Sequence, residues 1–319
     1  MSDQTEDILK LIRKIHPNIH YISVDEEIIH GRQSLCYRKL FELGKEVSNS
    51  AYCLFVDIEE FWVAKPFPKT INIFLEANPT FDCFSFQWVN CFNEDAFAYP
   101  LQDSAKKGNS HVKSMIGYSS EPVELRPHAP ILKSKKIISS IIGDTINQNF
   151  SIKDDKIFIN QKTINPSTAS LGNKHQALIF HRIQRSELEY THRLFKPHAN
   201  ADPTVSKFKT NRNGFRTPPI KRDLTEFYKS FLPNIEILRY HKSLQEFINT
   251  CGTKELVHQA QMSMSENVIL GKILKIPRES LIRDKNTIKR IFSGTRFIDY
   301  ILKKNFSGFI NYIAQCCLA

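Results

Sequence analysis

Three acids, Asp57, Glu59 and Glu60, stand within four residues of one another in the octapeptide Leu54-Phe55-Val56-Asp57-Ile58-Glu59-Glu60-Phe61. Carboxylates two residues apart on an extended segment can share a hard divalent cation, which takes oxygen ligands. The acids follow directly on the apolar run Ala51 to Val56, itself preceded by a Ser-Asn-Ser turn cluster. That run reads as a buried strand. A buried strand ending in acids puts carboxylates at the carboxyl edge of a sheet, where open α/β sheets bind ligands. The bland alternative is an acidic turn after a strand.

Four other segments carry residues capable of chemistry. His181 ends the apolar run Ala177 to Phe180, so it too sits at a strand's carboxyl end. It is a candidate third metal ligand, or else a hydrogen-bonded structural histidine. Arg182, Arg185 and Arg193 follow, and their planar forks suit phosphate. His128, in Arg126-Pro127-His128-Ala129-Pro130, lies in a rigid loop and either contacts substrate or decorates the surface. Trp88 and Phe92 stand on a strand-like run, where they either line a sugar pocket or pack in a core. Lys207 to Arg216 holds four bases and two Phe residues, a composition that suits phosphate or a nucleic-acid strand. No RRM, KH or zinc-knuckle pattern accompanies it, so nucleic acid is not the expected partner.

Regular elements must position these residues. Apolar spacing predicts helices over Thr5–Ile15 and His30–Ser48, the first ended by Pro17 and Asn18. Strands are expected at 19–24, 51–56, 82–89, 112–118, 123–125 and 177–180, with a short helix at 71–77 and a polar loop at 93–111. Ser186 with Glu189 three residues on reads as a capping box opening a helix to Phe195. The helix–strand–helix–strand order of the first sixty residues is the sign of a parallel α/β sheet. Residues 197–223 read as an irregular basic loop. From Leu224 the pattern is helical, with breaks at Pro233, Gly252, Pro277 and Gly294.

The 319 residues, 41% of them apolar, suffice for one large domain or two smaller ones. The net charge of +11 is uneven: residues 182–222 hold ten bases and three acids. An anionic membrane surface, nucleic acid or a phosphorylated substrate would each answer it, as would a plain solvated face. Seven cysteines, without C-x-x-C spacing, read as reduced buried thiols. With no apolar run of eighteen residues and an acidic, polar start, the expected location is cytoplasmic. Residues 291–319 mix aromatics with bases; they either lie on the inner face of a membrane or pack as a helix against the domain.

Taken together, the motifs resemble glycosyltransferase family 2, in the bacterial branch related to family 92. The residues that carry the resemblance are Asp57-Ile58-Glu59-Glu60-Phe61, Trp88 with Phe92, His128 with Pro130, His181 through Tyr190, and Gln33 opening the preceding helix. It covers roughly residues 2–216. The resemblance implies a GT-A-like, Rossmann-like α/β mixed sheet with flanking helices over residues 1–216, and a helical extension over 217–319. It implies a nucleotide-sugar donor, a glycan or glycolipid acceptor, and Mn2+ or Mg2+. By position, Asp57, Glu59 and His181 would hold the metal, and Asp57, Arg182 and Arg185 the nucleotide. Inverting transfer needs a base; Glu94 and Asp95 are the candidates, with His128 behind them. Ser2-Asp3-Gln4-Thr5 resembles a loop that in this family follows the first strand. The expected sheet is therefore truncated at its start, and the alternative function is a catalytically impaired fragment that binds carbohydrate or a partner.

Overall fold

The computed structural model describes residues 5–22, 33–78, 81–92, 101–133, 138–140, 150–154, 156–159, 177–195, 208–220 and 222–303. Helices α1 (Thr5–Ile15) and α2 (Gln33–Val47) form where the 3.6-residue spacing predicts them. Among the described residues six strands make the main sheet: β1 (Tyr52–Leu54), β2 (Glu60–Ala64), β3 (Cys83–Phe92), β4 (Ala105–Gly117), β6 (Ile138–Ser140) and β9 (Ala177–His181). A short helix, α3 (Ile71–Glu76), is capped by the Thr70 side chain. A separate antiparallel sheet joins β5 (Ile131–Lys133), β8 (Lys156–Ile159) and β7 (Phe150–Lys153).

The main sheet is mixed, in the order β1-β4-β3-β9-β2. The ten residues of β3 form its spine. The first part of β3 pairs in parallel with β6, the later part in parallel with β9, and its other edge runs antiparallel to β4. The expectation of a parallel sheet through residues 51–56 is corrected here. β1 is a three-residue edge strand, half-buried and antiparallel to β4. Its apolar character serves a side cluster instead, in which Cys53 and Phe55 pack on Tyr37 and Phe41 of α2. The expected strand at 19–24 does not form over residues 19–22, and 123–125 contributes a single bridge, Glu124 to Ile131. β4 starts at Ala105, inside the expected polar loop. Its polar residues Lys106, Lys107 and Gly108 pair with the buried strand β3. Pairing with an apolar neighbour overrides local propensity there.

β1 and β2 lie at opposite edges of the sheet, yet only residues 55–59 separate them. In a flat sheet four strand spacings would part these edges by about 19 Å. Six residue steps span at most about 21 Å when fully extended, and this link contains a turn closed by Glu60 N–H to the Asp57 carbonyl. The sheet is therefore curled, bringing its edges together. A side-chain contact requires the same curl: Lys113 on β4 reaches Glu60 on β2 at 3.1 Å, although two strands lie between them.

Both faces of the sheet are covered. One face packs Phe84, Phe86, Met115 and Ile179 against Phe74 of α3. The other packs Val63, Val89, Leu178 and Phe180 against Tyr228, Phe231, Leu232 and Ile237. The last four belong to helices α5 (Arg222–Lys229) and α6 (Asn234–Thr250) and the turn between them. Helix α4 (Glu187–Leu194) carries the expected capping box. Its Tyr190 and Leu194 share a core with Ile269, Ile273, Ile288, Phe292 and Phe297 of the carboxyl-terminal helices α7 (Glu266–Leu274), α8 (Lys285–Ile291) and α9 (Phe297–Lys303) and the turn between the last two. The helical segment after residue 216 is thus built into one core against the sheet and a second against α4. The four expected breaks hold: Pro233 and Pro277 cap helices, while Gly252 and Gly294 take positive φ. No helix among the described residues is long and apolar enough to cross a membrane. Ile291, Phe292 and Phe297 are buried, so the start of segment 291–319 packs inward; residues 304–319 lie outside the described residues.

Candidate functional site

The link 55–59 crosses in front of the strand ends and carries the acids with it. Asn90 on β3, His181 on β9 and Glu60 on β2 lie in one cross-strand row, so their side chains share a face. Further down that face the row becomes apolar, with Trp88, Ile179 and Trp62. The polar row therefore caps a hydrophobic face at the carboxyl ends of the parallel pair β3 and β9. Ile58, between Asp57 and Glu59, is 80% exposed, so the link itself lies on the surface.

Lys113 is the buried centre of one half of the site. It is 1% exposed, and its ammonium lies 3.1 Å from Glu60 and 3.4 Å from Asp57. The Glu60 carboxylate also accepts the Asp57 N–H at 2.9 Å. Burial raises the Glu60 pKa, and the Lys113 charge opposes that rise without cancelling it. The other Glu60 oxygen has no hydrogen-bond partner among the described residues.

Glu59 is the centre of the other half. It accepts from Arg185 at 2.7 Å and from Arg193 at 3.0 Å, one guanidinium on each oxygen. Burial pushes its pKa up, but the two guanidinium charges outweigh burial and hold it at about 2. The backbone joins in, since Arg182 N–H donates to the Glu59 carbonyl at 2.9 Å. Arg182 also faces Glu189 of the capping box at 3.5 Å. Arg185 takes φ of +60°, a region that non-glycine residues seldom enter, and its buried Nε lacks a partner among the described residues.

Three imidazoles surround one indole between these halves. The Trp88 ring centroid lies 4.3 Å from His181, 5.0 Å from His128 and 5.4 Å from His111. The Lys113 ammonium stands 5.9 Å from the same ring. Burial, reinforced by Lys113, lowers both His128 and His181 to about 4. Both are therefore neutral at pH 7. His128 Nδ1 lies 3.2 Å from the Val112 carbonyl, whereas His181 Nδ1 is buried without a hydrogen-bond partner among the described residues.

The structure thus gathers Asp57, Glu59, His128, His181, Arg182 and Arg185 at one place. Trp88 joins them, but Phe92 is a core residue. Glu94 and Asp95 lie outside the described residues. A divalent cation on Asp57, Glu59 and His181 does not fit this arrangement. Both Glu59 oxygens are taken by guanidinium groups, and Asp57 turns toward Lys113. Among the described residues no three His, Cys, Asp or Glu side chains are grouped to hold an ion.

Sequence reasoning missed Lys113, His111 and the role of Glu60. A signal existed: Lys113 alternates in phase with buried Met115, and Glu60 with Trp62 and Ala64. A charge in phase with core residues is a charge that must be paired. No protein-family model, curated protein or solved structure matches this chain.

Proposed function

We propose that this site binds a nucleotide sugar and transfers its sugar to a glycan or glycolipid acceptor, as a GT-A-like glycosyltransferase of surface-polysaccharide assembly. The observation that supports this most is the meeting of the segments on which the resemblance rests. The acidic link, Trp88, His128 and the His181–Arg185 turn are far apart in sequence, yet they converge at the carboxyl ends of β3 and β9. Ligands of open α/β sheets bind at such an edge.

In this reaction the bond from the anomeric carbon to the donor phosphate oxygen breaks. The acceptor oxygen bonds to that carbon, and its proton passes to a base. Arg185 and Arg193 would meet the charge that develops on the leaving phosphate. His128 and His181, neutral at pH 7, can each accept the acceptor's proton. Trp88 holds both imidazoles in place by ring contact.

A binding module without turnover is the second reading, favoured by the ion pairs that engage Glu59 and Asp57. Incubation with UDP-, GDP-, CMP- and dTDP-sugars and a glycan acceptor, with released nucleotide measured, separates the two. The transferase reading expects release with one donor class, falling about a hundredfold or more in His181→Gln. Nucleotide binding without release leaves the module, and absence of both overturns the proposal.

A further inference from the structure

Cations crowd around Glu59 beyond what it can neutralise. Arg185 and Arg193 touch it, and Lys209 and Arg212 feel its charge together with that of both arginines. Among the described residues neither Lys209 nor Arg212 makes an ion pair of its own. A further carboxylate, Glu189, lies 4.0 Å from Arg185 and already accepts from the Ser186 backbone and hydroxyl.

This crowding is built, because the segment 208–216 that carries Lys209 and Arg212 is tied down at several points. Lys209 N–H donates to the Leu194 carbonyl at 2.9 Å. Arg290 donates to the carbonyls of Thr210 and Arg212 and to the Asn213 side chain. Gln184 donates to the carbonyls of Gly214 and Arg216. Phe215 N–H donates to Ser293 at 2.8 Å. A loop free to move would swing its cations apart into water. This one is held so that they stay together, and burial with the neighbouring guanidinium charges lowers Lys209 to about 8. Arg185 keeps its left-handed backbone, and its Nε has no partner among the described residues.

We infer that Arg185, Arg193, Lys209 and Arg212 form an anion site that grips a diphosphate directly, with no bridging divalent cation. Its identification as the donor's diphosphate rests on the transferase reading; the site itself does not. Guanidinium forks and an ammonium are the donors that phosphate oxygens take. Glu59 holds the two arginines apart and oriented until the anion arrives. The same guanidinium groups that exclude a cation from Glu59 then supply the positive charge a cation would bring.

Calorimetry with inorganic pyrophosphate tests this, in EDTA and again with Mn2+, on the full chain and on Lys209→Ala/Arg212→Ala. The site expects binding in EDTA, no tightening with Mn2+, and affinity roughly tenfold weaker or less in the double variant. Thermal unfolding guards against a folding artefact. With like charges removed, the variant should melt no lower than the parent, and at one pyrophosphate concentration the parent's midpoint should rise more than the variant's. Binding that needs Mn2+, or equal affinity in parent and variant, overturns the inference. Nucleotide-sugar turnover with Mn2+-dependent pyrophosphate binding would sink this inference and keep the transferase. Pyrophosphate binding in EDTA without any nucleotide binding would do the reverse.

Discussion

At the scale of single residues, the site works by setting charges against burial. His181 and Glu60 are neighbours in register, yet burial drives one toward the neutral base and the other toward the neutral acid. Stability must therefore depend on pH. The folded pKa values of His128 and His181 are near 4, below the ordinary 6.5. Between those values the unfolded chain binds more protons at these two histidines, so their contribution is full above about 6.5 and is lost as pH falls toward 4. Glu60, raised to about 7 against 4.5, offsets part of that loss because the folded state takes up its proton first. Glu59, held near 2 against 4.5, adds a second loss as pH falls through that lower window. Urea unfolding at a series of pH values should show both steps. In His181→Gln the upper step should shrink by on the order of 2–3 kcal/mol, and the lower step should remain. An unchanged upper step would place the histidine in water, contrary to its burial.

At the scale of elements, glycines decide whether the basic loop docks. Gly294 takes φ of +81°, and a Cβ there would collide with the carbonyl oxygen of Phe215. Gly252 takes φ of +66°, but a Cβ there would meet nothing within 4 Å. Both alanine substitutions carry the left-handed backbone cost, about 1 kcal/mol. Only Gly294→Ala must also push the loop away from the helices. It should cost about 1–2 kcal/mol more than Gly252→Ala in chemical denaturation. It should also weaken pyrophosphate binding, which Gly252→Ala should leave alone. Equal effects would show that the loop is not held by this contact. The glycine and proline breaks themselves were legible, because each owes its place to local backbone geometry. The docking of loop 208–216 was not, because Arg290 and Gln184 lie far from it in sequence.

At the scale of the molecule, the curled sheet and its helices stand or fall together. A chain ending at residue 216 would lose Tyr228, Phe231, Leu232 and Ile237 from one core and most of a second. Each buried aromatic or aliphatic side chain contributes about 1.5–3 kcal/mol, and a whole domain has a margin of about 5–15. The shortened chain should show no cooperative thermal transition by circular dichroism. A sharp transition would support the boundary expected at 216. The sequence by itself determined the α/β class, most helices, the capping box and the chemically able residues, since these follow from periodicity, local sterics and residue type. Among those residues are Asp57, Glu59, His128, His181 and the arginines, which the fold brings near one another. Tertiary structure alone decided how they face one another. Strand order put β1 and β2 at opposite edges, so five residues had to close a curled sheet across the ends of β3 and β9. That crossing turned Asp57 toward Lys113 and Glu59 toward two arginines. The pairing partners come from β4, from α4 and from the turn just before α4, and no local pattern in residues 55–60 encodes them.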